Sequence, residues 1–405
     1  MTKRLAALSD LALFGAPQAY AEPLHVGRPN IGRRERILEL IGEALDRRWL
    51  SNNGPLAQAF EAELARRLGV RHVLAMCNAT IALEIAIRAL DLKGEVIVPS
   101  YTFVATAHAL QWQQIEPVFA DIDPVTHSLD PAAVRRMITP RTTGIIGVHL
   151  WGRACDVAGL QQVADDHGLQ LMYDAAHAFG TSIGGAPVGG FGRCEVFSFH
   201  ATKFLNSFEG GAVATNDDAL ATKIALMRNF GFAGYDNVVY PGTNGKITEV
   251  CAAMGLASLE TIDEVIEANR RNRAAYRIGI AGLPGLSLFE YDDGERNNWQ
   301  YVVLQVDAGF GLGRDELVAM LHSENVLARK YFWPGCHAMQ PYRDLYPDAA
   351  RHLPNTLRVA EQVIVLPTGT AVSEADVATI CGLLALAARP EAAAAIRARL
   401  ASAAG

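Results

Sequence analysis

The most distinctive chemistry-bearing residue in this sequence is a lysine without charged neighbours. Lys203 stands in the stretch CEVFSFHATKFLNSFEGGAVATNDD, in an otherwise uncharged run between Glu195 and Glu209. Burial lowers the pKa of a lysine, and the neutral amine is the form that attacks a carbonyl carbon. Taken alone, such a lysine is also typical of a surface residue whose stem lies on apolar side chains while its amine reaches water. The pair Gly210–Gly211, taken alone, indicates only a turn before a strand.

Other polar residues follow strand-like apolar runs. Asp174 ends the run LQLMYD, where a buried carboxylate is unfavourable unless a cation or hydrogen-bond donors meet it. It could equally cap a helix that begins at Ala175. The run HVLAM passes almost directly into a helical pattern, with Asn78, Ala79 and Thr80 at the junction. The free amides of a helix N-terminus bind phosphate, although Asn and Thr are also ordinary capping residues.

Aromatic, hydroxyl and imidazole side chains stand near the same points. Tyr101 and Phe103 follow the run EVIVPS, where a ring either stacks on a flat ligand or belongs to the core. Ser198 and His200 lie in the lysine stretch, and His177 follows the buried carboxylate. No third ligand at suitable spacing accompanies the two histidines, so we expect no metal site. The segment GGAPVGGFG does not fit the GxGxxG dinucleotide pattern and precedes a strand instead of following one.

In combination these residues meet the requirements of pyridoxal 5′-phosphate (PLP). The aldehyde of PLP forms a Schiff base with a lysine, and a carboxylate keeps its pyridine nitrogen protonated so that the ring accepts electrons. Each residue has an ordinary structural alternative, so the prediction depends on the combination. It uses Lys203 as the amine, Asp174 as the carboxylate and residues 78–80 as the phosphate site.

The elements that must position these residues alternate between strands and helices. Strand-like runs occur from about residue 70 to 215 with helical patterns between them, which predicts a mainly parallel sheet covered by helices. Ligands of such sheets bind beyond the carboxyl ends of the strands. The helical stretch 247–283 leads to NWQYVVLQVD and further helical patterns at 314–323 and from 373. We therefore predict an N-terminal extension at 1–24, a large α/β/α domain at 25–262 and a smaller α+β domain at 263–405.

Composition excludes several classes of protein. The chain of 405 residues has a net charge of −7 and a pI near 5.9, so no basic stripe for nucleic acid is expected. Its six cysteines form no CxxC pair, which favours reduced thiols in the cytoplasm. The apolar run 11–15 is shorter than the roughly 7–15 residues of a signal-peptide core. No run reaches the roughly 18 apolar residues of a membrane span, so we expect a cytoplasmic protein with no membrane partner.

Nine segments occur in a recognisable order between about residues 23 and 366. They are GPLAQAFEAELARRLG, CNATIALEIAIRAL, VPSYTFVATAHAL, FADIDPVTHSLDPAAV, VHLWGRACDV, YDAAHAFG, FSFHATK, EGGAVATND and GTNGKITEVCAAMGLASLE. In this order they resemble the DegT/DnrJ/EryC1/StrS family of PLP-dependent sugar aminotransferases. The resemblance implies the aspartate-aminotransferase fold, known as fold type I of PLP enzymes, and a homodimer with shared active sites.

The resemblance also assigns roles to single residues. By position in the family's motifs, Lys203 forms the internal aldimine with PLP and Asp174 pairs with the pyridine nitrogen. Ser198 and the backbone amides of Ala79 and Thr80 then bind the cofactor phosphate. These assignments agree with the chemistry expected from the residue types alone.

The resemblance also identifies further residues that are expected to contact PLP, and positions at which this chain departs from the family pattern. Phe103 occupies the place of the ring-stacking aromatic, and Asn244 is the residue that reaches the phosphate of the partner subunit. His177 replaces a glutamine near the ring hydroxyl, which could change the pH profile. Phe208 replaces a glycine in the loop after the lysine, which reduces backbone freedom there. Ala79 replaces another glycine and adds a methyl group beside the phosphate.

The resemblance implies transfer of an amino group, usually from L-glutamate, to a nucleotide-linked keto sugar. The opening LFGAPQAYAEPLHVGRPNIG most resembles members that act at C4 of a dTDP-4-keto-6-deoxyhexose such as dTDP-4-keto-6-deoxyglucose. Arg228, Arg329 and Lys330 are candidate cations for the nucleotide diphosphate. The alternatives are amination of a 3-keto nucleotide sugar, a PLP-dependent sugar dehydratase and a non-catalytic PLP-binding regulator. Lys203 disfavours the dehydratase, whose branch carries histidine there, and retention of the whole site disfavours the regulator.

Overall fold

The fold is built from fourteen strands and fourteen α-helices in the described part of the chain. The computed structural model describes residue 3 and residues 5–403. Residues 1, 2 and 4 of the predicted extension and residues 404 and 405 of the predicted small domain lie outside the described residues. The strands are β1 (Leu24–His25), β2 (His72–Met76), β3 (Glu95–Pro99), β4 (Glu116–Ala120), β5 (Thr142–Val148), β6 (Gln170–Asp174), β7 (Ser182–Ile183), β8 (Ala186–Pro187), β9 (Glu195–Ser198), β10 (Gly211–Thr215), β11 (Leu286–Leu288), β12 (Val302–Val306), β13 (Val326–Leu327) and β14 (Val363–Leu366).

The helices alternate with most of these strands, and those that begin at residues 79, 131 and 157 lie where the sequence predicts helices. They are α1 (Arg34–Arg47), α2 (Pro55–Leu68), α3 (Ala79–Ala89), α4 (Ala105–Gln111), α5 (Pro131–Met137), α6 (Val157–His167), α7 (Asp218–Met227), α8 (Glu249–Glu260), α9 (Ile262–Gly279), α10 (Arg314–Ser323), α11 (Tyr342–Leu345), α12 (Pro354–Gln362), α13 (Glu374–Ala387) and α14 (Ala392–Ala403).

A seven-stranded sheet forms the centre of the large unit. Its order is β2-β10-β9-β6-β5-β3-β4. Neighbouring strands are parallel except at β10, which runs antiparallel to both β2 and β9. The predicted mainly parallel sheet is therefore confirmed. The parallel strands β2, β6 and β9 end at the same edge, and this edge carries the polar residues of the predicted site.

Helices cover both faces of this sheet. The sheet residues Val98, Ile146 and Met172 pack with the helices α3, α4 and α7 on one face. On the other face, Ala75 and Phe197 pack with α1, α2 and α8. Burying one such valine or isoleucine side chain contributes about 1.5–3 kcal/mol. The strands are apolar on both faces because both faces are covered, as expected for an α/β/α layering.

A smaller antiparallel sheet organises the C-terminal part. It has the order β11-β12-β14 and packs with α9, α10 and α13 in one core. The N-terminal segment joins this core, because Leu11 is fully buried in it and β1 pairs in parallel with β13. The amine of Lys3 donates a hydrogen bond of 2.6 Å to the buried carboxylate of Glu324. Both ends of the chain thus contribute to the smaller unit.

The predicted helical stretch 247–283 is not continuous. The helix α8 ends and α9 begins on either side of Thr261, whose φ of −118° and ψ of 11° interrupt the helical geometry. The hydrophobic period alone did not predict this break, because both helices bury apolar residues. One consequence is that α8 packs in the large unit while α9 reaches the smaller one.

Within residues 3 and 5–403 no single helix is long and apolar enough to cross a membrane; one bent pair, Glu374–Ala387 with Ala392–Ser402, passes that test by length and composition together. In the same part of the chain no cluster of three or more His, Cys, Asp or Glu side chains is arranged to hold a metal ion.

Candidate active site

A cavity of about 310 Å³ opens at the carboxyl edge of the large sheet. The strand order explains its position, because β2, β9 and β6 end there and β10 starts there between β2 and β9. Eight predicted site residues line the cavity together: Asn78, Ala79, Thr80, Phe103, Asp174, His177, Ser198 and Lys203. Residues up to 125 positions apart in the sequence thus share one site.

Lys203 lies in the loop that follows β9. Its backbone amide donates a hydrogen bond of 2.8 Å to the carbonyl of His200, and its side chain is partly buried and turned into the cavity. Burial lowers the pKa of Lys203 to about 8, although the nearby carboxylate of Asp174 opposes the shift. At this pKa about a tenth of the amine is neutral near pH 7, far more than for an ordinary exposed lysine. Its position on the cavity wall favours the chemical role over the alternative of a surface lysine.

Asp174 ends β6 beside the lysine strand. The backbone amide of Ala176 donates to its Oδ1 at 3.1 Å and the hydroxyl of Thr106 donates to its Oδ2 at 2.8 Å. The backbone after Asp174 forms turns instead of a helix, so its alternative assignment as a helix cap is wrong. Burial raises the pKa of this carboxyl, while Lys203 acts in the opposite direction. A cationic ring nitrogen placed against it would stabilise the ionised form.

The N-terminus of α3 carries the residues that are predicted to bind the phosphate. The side chain of Asn78 accepts a hydrogen bond of 2.8 Å from the amide of Ile81, so Asn78 is indeed the cap. The amides of Ala79 and Thr80 precede the first intrahelical bond and face the cavity side of the helix. A Cβ atom on Gly211 would lie 2.5 Å from the amide nitrogen of Ala79. This close approach explains the glycine at the start of β10.

His177 is buried and neutral. Its Nδ1 accepts a hydrogen bond of 3.3 Å from the backbone amide of Trp151, so the proton of the neutral ring lies on Nε2. The ring lies nearly parallel to those of Trp151 and Phe332, with centroids 6.2 and 5.9 Å away, and these two rings also stack on each other at 5.3 Å. Burial lowers the pKa of His177 well below its usual value, and Lys203 acts in the same direction. The imidazole is thus a fixed hydrogen-bond donor for whatever lies in the cavity.

The departures from the family pattern have clear structural outcomes. Phe208 adopts the left-handed backbone region with φ of 60°, and its ring is exposed. The usual glycine adopts this region without steric cost, so phenylalanine is strained there.

The side chain of Phe103 is 57% exposed and lies at the cavity wall, where its ring meets Phe332 edge-on with centroids 6.4 Å apart. An aromatic ring with a free face is available to a flat ligand.

Four predicted residues lie outside the cavity wall. Arg228 hydrogen-bonds to Glu61 and to the carbonyl of Ala75. Lys330 forms an ion pair of 3.1 Å with Asp315. The other two residues outside the cavity wall are Asn244 and Arg329.

Asn244 and Arg329 both lie close to elements of the site. Asn244 is exposed in a loop whose backbone pairs with Asn229, and the amide of Cys77 bonds to the next carbonyl, that of Gly245. The guanidinium of Arg329 lies 4.8 Å from the ring centroid of Tyr331, and this ring faces the cavity.

Several site residues escaped the sequence analysis. The cavity wall includes Thr102, Tyr301, Tyr331 and Phe332, and Thr106 supports the carboxylate from behind. Thr106 carries a weak signal, since it is a polar residue at an inward position of an apolar helical pattern. The residues from 301 to 332 carry none, because they reach the cavity only through the docking of the smaller unit.

The residues present fit PLP. A partly buried amine and a buried carboxylate face one cavity, the free amides of a helix N-terminus lie at its edge, and a glycine leaves room beside that terminus. This donor set matches an aldehyde, a basic ring nitrogen and a phosphate in one ligand. The fold and the site together define a fold type I PLP-dependent enzyme.

Comparisons with known proteins specify the class. The chain matches the DegT/DnrJ/EryC1/StrS aminotransferase family over residues 32–385. It is 36% identical over 362 residues to the dTDP-4-amino-4,6-dideoxy-D-glucose transaminase of Escherichia coli, covering 89% of this chain and 97% of that protein. It is 35% identical over 375 residues to the GDP-perosamine synthase of Caulobacter vibrioides, with coverage of 89% and 97%.

A solved structure supports the same assignment. The crystal structure of DesI in the presence of its TDP-sugar product is 49% identical in sequence, has a TM-score of 0.92 and covers 97% of this chain and 100% of that chain. The protein therefore belongs to the DegT/DnrJ/EryC1/StrS aminotransferase family and is a PLP-dependent aminotransferase.

Proposed function

We propose that the protein transfers an amino group from L-glutamate to C4 of dTDP-4-keto-6-deoxyglucose. The observation that carries this proposal is the placement of Lys203 and Asp174 on one cavity at the carboxyl edge of the sheet. The name of the Escherichia coli relative places the nitrogen at C4 of a dTDP-linked 4,6-dideoxyglucose. DesI was crystallised with a TDP-sugar product. Both favour a nucleotide-linked sugar amine as the product of this chain.

Lys203 has two tasks in this proposal. PLP, when bound, supplies an electron sink for the electron pair left when the α-carbon of the donor loses its proton. The Nζ atom of Lys203 holds the cofactor until the donor arrives and is then released as a free amine. With a pKa lowered to about 8 by burial, this amine would accept the α-proton and return it to the cofactor carbon on the other side of the nitrogen. In the second half-reaction Lys203 moves a proton in the reverse sense toward C4 of the sugar.

The neighbouring residues hold the cofactor in place. Asp174 would meet the ring nitrogen, and its two supporting donors orient the carboxylate. The amides of Ala79 and Thr80, together with the hydroxyl of Ser198, would bind the phosphate. The ring of Phe103 would stack on the pyridine, and Nε2 of His177 would donate to the ring hydroxyl.

The sugar nucleotide requires cations near the mouth of the cavity. We assign the diphosphate first to Arg329, because its guanidinium lies on Tyr331 at the cavity wall. Lys330 and Arg228 are second candidates, since each already has an acidic partner in Asp315 or Glu61. Charge-assisted bonds from a guanidinium suit phosphate oxygens better than a lysine point charge.

We also propose that the enzyme is a homodimer that works in the cytoplasm. The loop 229–243 exposes Phe230, Phe232 and Tyr235, and α1 exposes Leu38 and Leu45. Exposed apolar side chains at this density are typical of a surface that is buried in an assembly. Asn244 follows this loop and, in a homodimer, reaches the cofactor phosphate of the partner subunit. The six cysteines are all free thiols, as a reducing compartment requires.

A product analysis tests the proposal. The purified protein is incubated with PLP, L-glutamate and a panel of dTDP- and GDP-linked 4-keto and 3-keto deoxysugars, and the products are identified by NMR. We expect an axial or equatorial amine at C4 of the dTDP-linked 6-deoxysugar. An amine at C3 would contradict the proposed action at C4 and would support the alternative of a 3-aminotransferase. Loss of the sugar hydroxyl without nitrogen incorporation would overturn the transfer reaction itself.

A further inference from the structure

A four-residue segment of the smaller unit connects the two catalytic loops. The side-chain amide of Asn298 donates to the carbonyls of His177 and Phe179 at 2.7 and 3.1 Å. The side-chain oxygen of Gln300 accepts a hydrogen bond of 3.1 Å from the amide of Phe204. Asn298 is fully buried and Gln300 is 8% exposed. The loop after Asp174 and the loop of the lysine are therefore attached to the same short segment, residues 298–301.

The last residue of this segment touches the reactive amine. The Nζ atom of Lys203 donates a hydrogen bond of 3.5 Å to the hydroxyl oxygen of Tyr301. The Tyr301 ring is only 7% exposed, and it packs on His177 and Trp151 with centroids 4.7 and 5.4 Å away. The hydroxyl of Tyr291 donates to the backbone carbonyl of Tyr301 at 3.0 Å. Burial raises the pKa of Tyr301 far above its usual value, so its hydroxyl stays protonated over the working range of pH.

We propose that Tyr301 is a positioning residue that holds the released Lys203 amine for proton transfer, with Gln300 fixing the lysine loop beneath it. This inference rests on the proposed role of Lys203. A lysine has a flexible four-carbon stem, so its amine needs an anchor once its covalent bond to the cofactor is broken. A displacement of about 1 Å in such a group can cost about a hundredfold in rate. In this role Tyr301 accepts a hydrogen bond from the amine of Lys203 and transfers no proton itself.

The substitution Tyr301→Phe tests the role of the hydroxyl. It keeps the ring that packs on His177 and Trp151 and removes only the oxygen. We expect the single-turnover rate with L-glutamate, followed by the cofactor absorbance, to fall about tenfold or more, while the glutamate concentration for half-maximal rate changes less than twofold. In the apoprotein, the pH dependence of Lys203 modification by trinitrobenzenesulfonate should shift to lower pH by about half a unit, because the ammonium form loses an acceptor.

Two further variants keep the result interpretable. Tyr276→Phe removes a buried hydroxyl that bonds to the carbonyl of Pro367, away from both Lys203 and Tyr301; it should lower thermal stability and leave the modification profile of Lys203 unmoved. Gln300→Met deletes the acceptor for the Phe204 amide at similar volume and should slow the same single turnover severalfold. A Tyr301→Phe protein with the wild-type rate and profile would overturn the inference, as would a Gln300→Met protein with the wild-type rate if Tyr301→Phe does not fold.

The proposed function has a separate readout. Borohydride reduction of the wild-type holoenzyme, followed by peptide mass spectrometry, should attach the cofactor to Lys203. Attachment elsewhere would contradict the role of Lys203 itself. Attachment at Lys203, together with no effect of Tyr301→Phe, would contradict only the positioning role of Tyr301.

Discussion

The hydroxyl of Thr106 donates a hydrogen bond of 2.8 Å to Oδ2 of Asp174. The carboxylate proposed to meet the ring nitrogen of PLP is thus supported from behind by the first turn of α4. This contact opposes the effect of burial, which raises the pKa of Asp174. It helps to keep the carboxyl ionised, which is the form that can stabilise a protonated ring.

Substitutions of Asp174 and Thr106 should separate the effect of the carboxylate charge from the effect of the hydrogen bond that supports it. Asp174→Asn should lower the single-turnover rate by at least a hundredfold, because a carboxamide cannot stabilise a protonated ring nitrogen. Thr106→Val removes one charge-assisted hydrogen bond and should cost about tenfold. Thr379→Val, a buried threonine of α13 bonded to the carbonyl of Ala375, is the matched control and should retain the wild-type rate. An Asp174→Asn enzyme of normal rate would exclude the proposed role.

Removal of the amine should abolish turnover without unfolding the protein. Lys203→Ala lacks the proton carrier and the covalent attachment point, so we expect no detectable product and no borohydride-stable cofactor bond. Lys223→Ala, at an amine that binds Asp91 on the surface, is the control and should behave as the wild type. Thermal denaturation of both variants checks the fold. Residual turnover by Lys203→Ala would assign proton transfer to another group.

The depressed pKa of Lys203 predicts a defined pH dependence. Only the neutral amine attacks the aldehyde, and its fraction grows as pH rises toward the pKa of about 8 that burial imposes. The rate at which apoprotein captures PLP should therefore rise about tenfold per pH unit below pH 8 and level off above it. Stopped-flow absorbance measures this rate. A rate that still rises steeply at pH 10 would show an ordinary, exposed lysine.

The close approach of β10 to α3 predicts the effect of a single methyl group. A Cβ atom at Gly211 would lie 2.5 Å from the nitrogen of Ala79 and 2.6 Å from the carbonyl carbon of Asn78. Gly211→Ala should displace the phosphate cradle and weaken PLP binding by about tenfold or more, which equilibrium dialysis measures. Gly42→Ala in α1, where a Cβ meets nothing within 4 Å, is the control and should leave PLP binding unchanged. Equal affinity of the Gly211→Ala protein would contradict the assigned phosphate site.

The left-handed backbone of Phe208 predicts a stabilising substitution. Its φ of 60° is unfavourable for a residue with a Cβ atom, and its ring is exposed. Phe208→Gly should raise the free energy of unfolding by about 0.5–1 kcal/mol, after the entropy cost of glycine is subtracted from the steric gain. Urea denaturation of the holoenzyme measures the change. Phe208→Ala retains the Cβ atom and should show no gain, whereas a less stable Phe208→Gly protein would contradict the strain at this position.

Local patterns in the sequence predicted much of the fold and of the site. Short apolar runs predicted the strands of the central sheet, and the period-3.6 hydrophobic pattern predicted the helix α3, because burial of a strand or a helix face depends on neighbouring residues. Asp174, Ser198 and Asn78 were predicted from their positions at strand ends, since parallel strands bring those ends together. The resemblance to a family then supplied the roles that residue types alone left open.

Local patterns of this kind did not predict the contacts between segments that are far apart in the sequence. The sequence allowed Asp174 to be a helix cap, and only the fold placed it against Thr106 and the lysine loop. The break at Thr261 and the docking of residues 5–25 on the C-terminal core depend on packing between segments far apart in the chain. For the same reason Tyr301 carried no signal in its own stretch, although it contacts Lys203.

The sequence by itself determined which groups are present and which strand or helix end carries them, because local burial and capping follow from adjacent residues. Tertiary structure alone decided the electrostatic state of those groups. The amine of Lys203 has a low pKa and the imidazole of His177 is neutral because elements from both units of the chain remove water from around them. Desolvation is a property of the assembled core, and no short stretch of sequence specifies it.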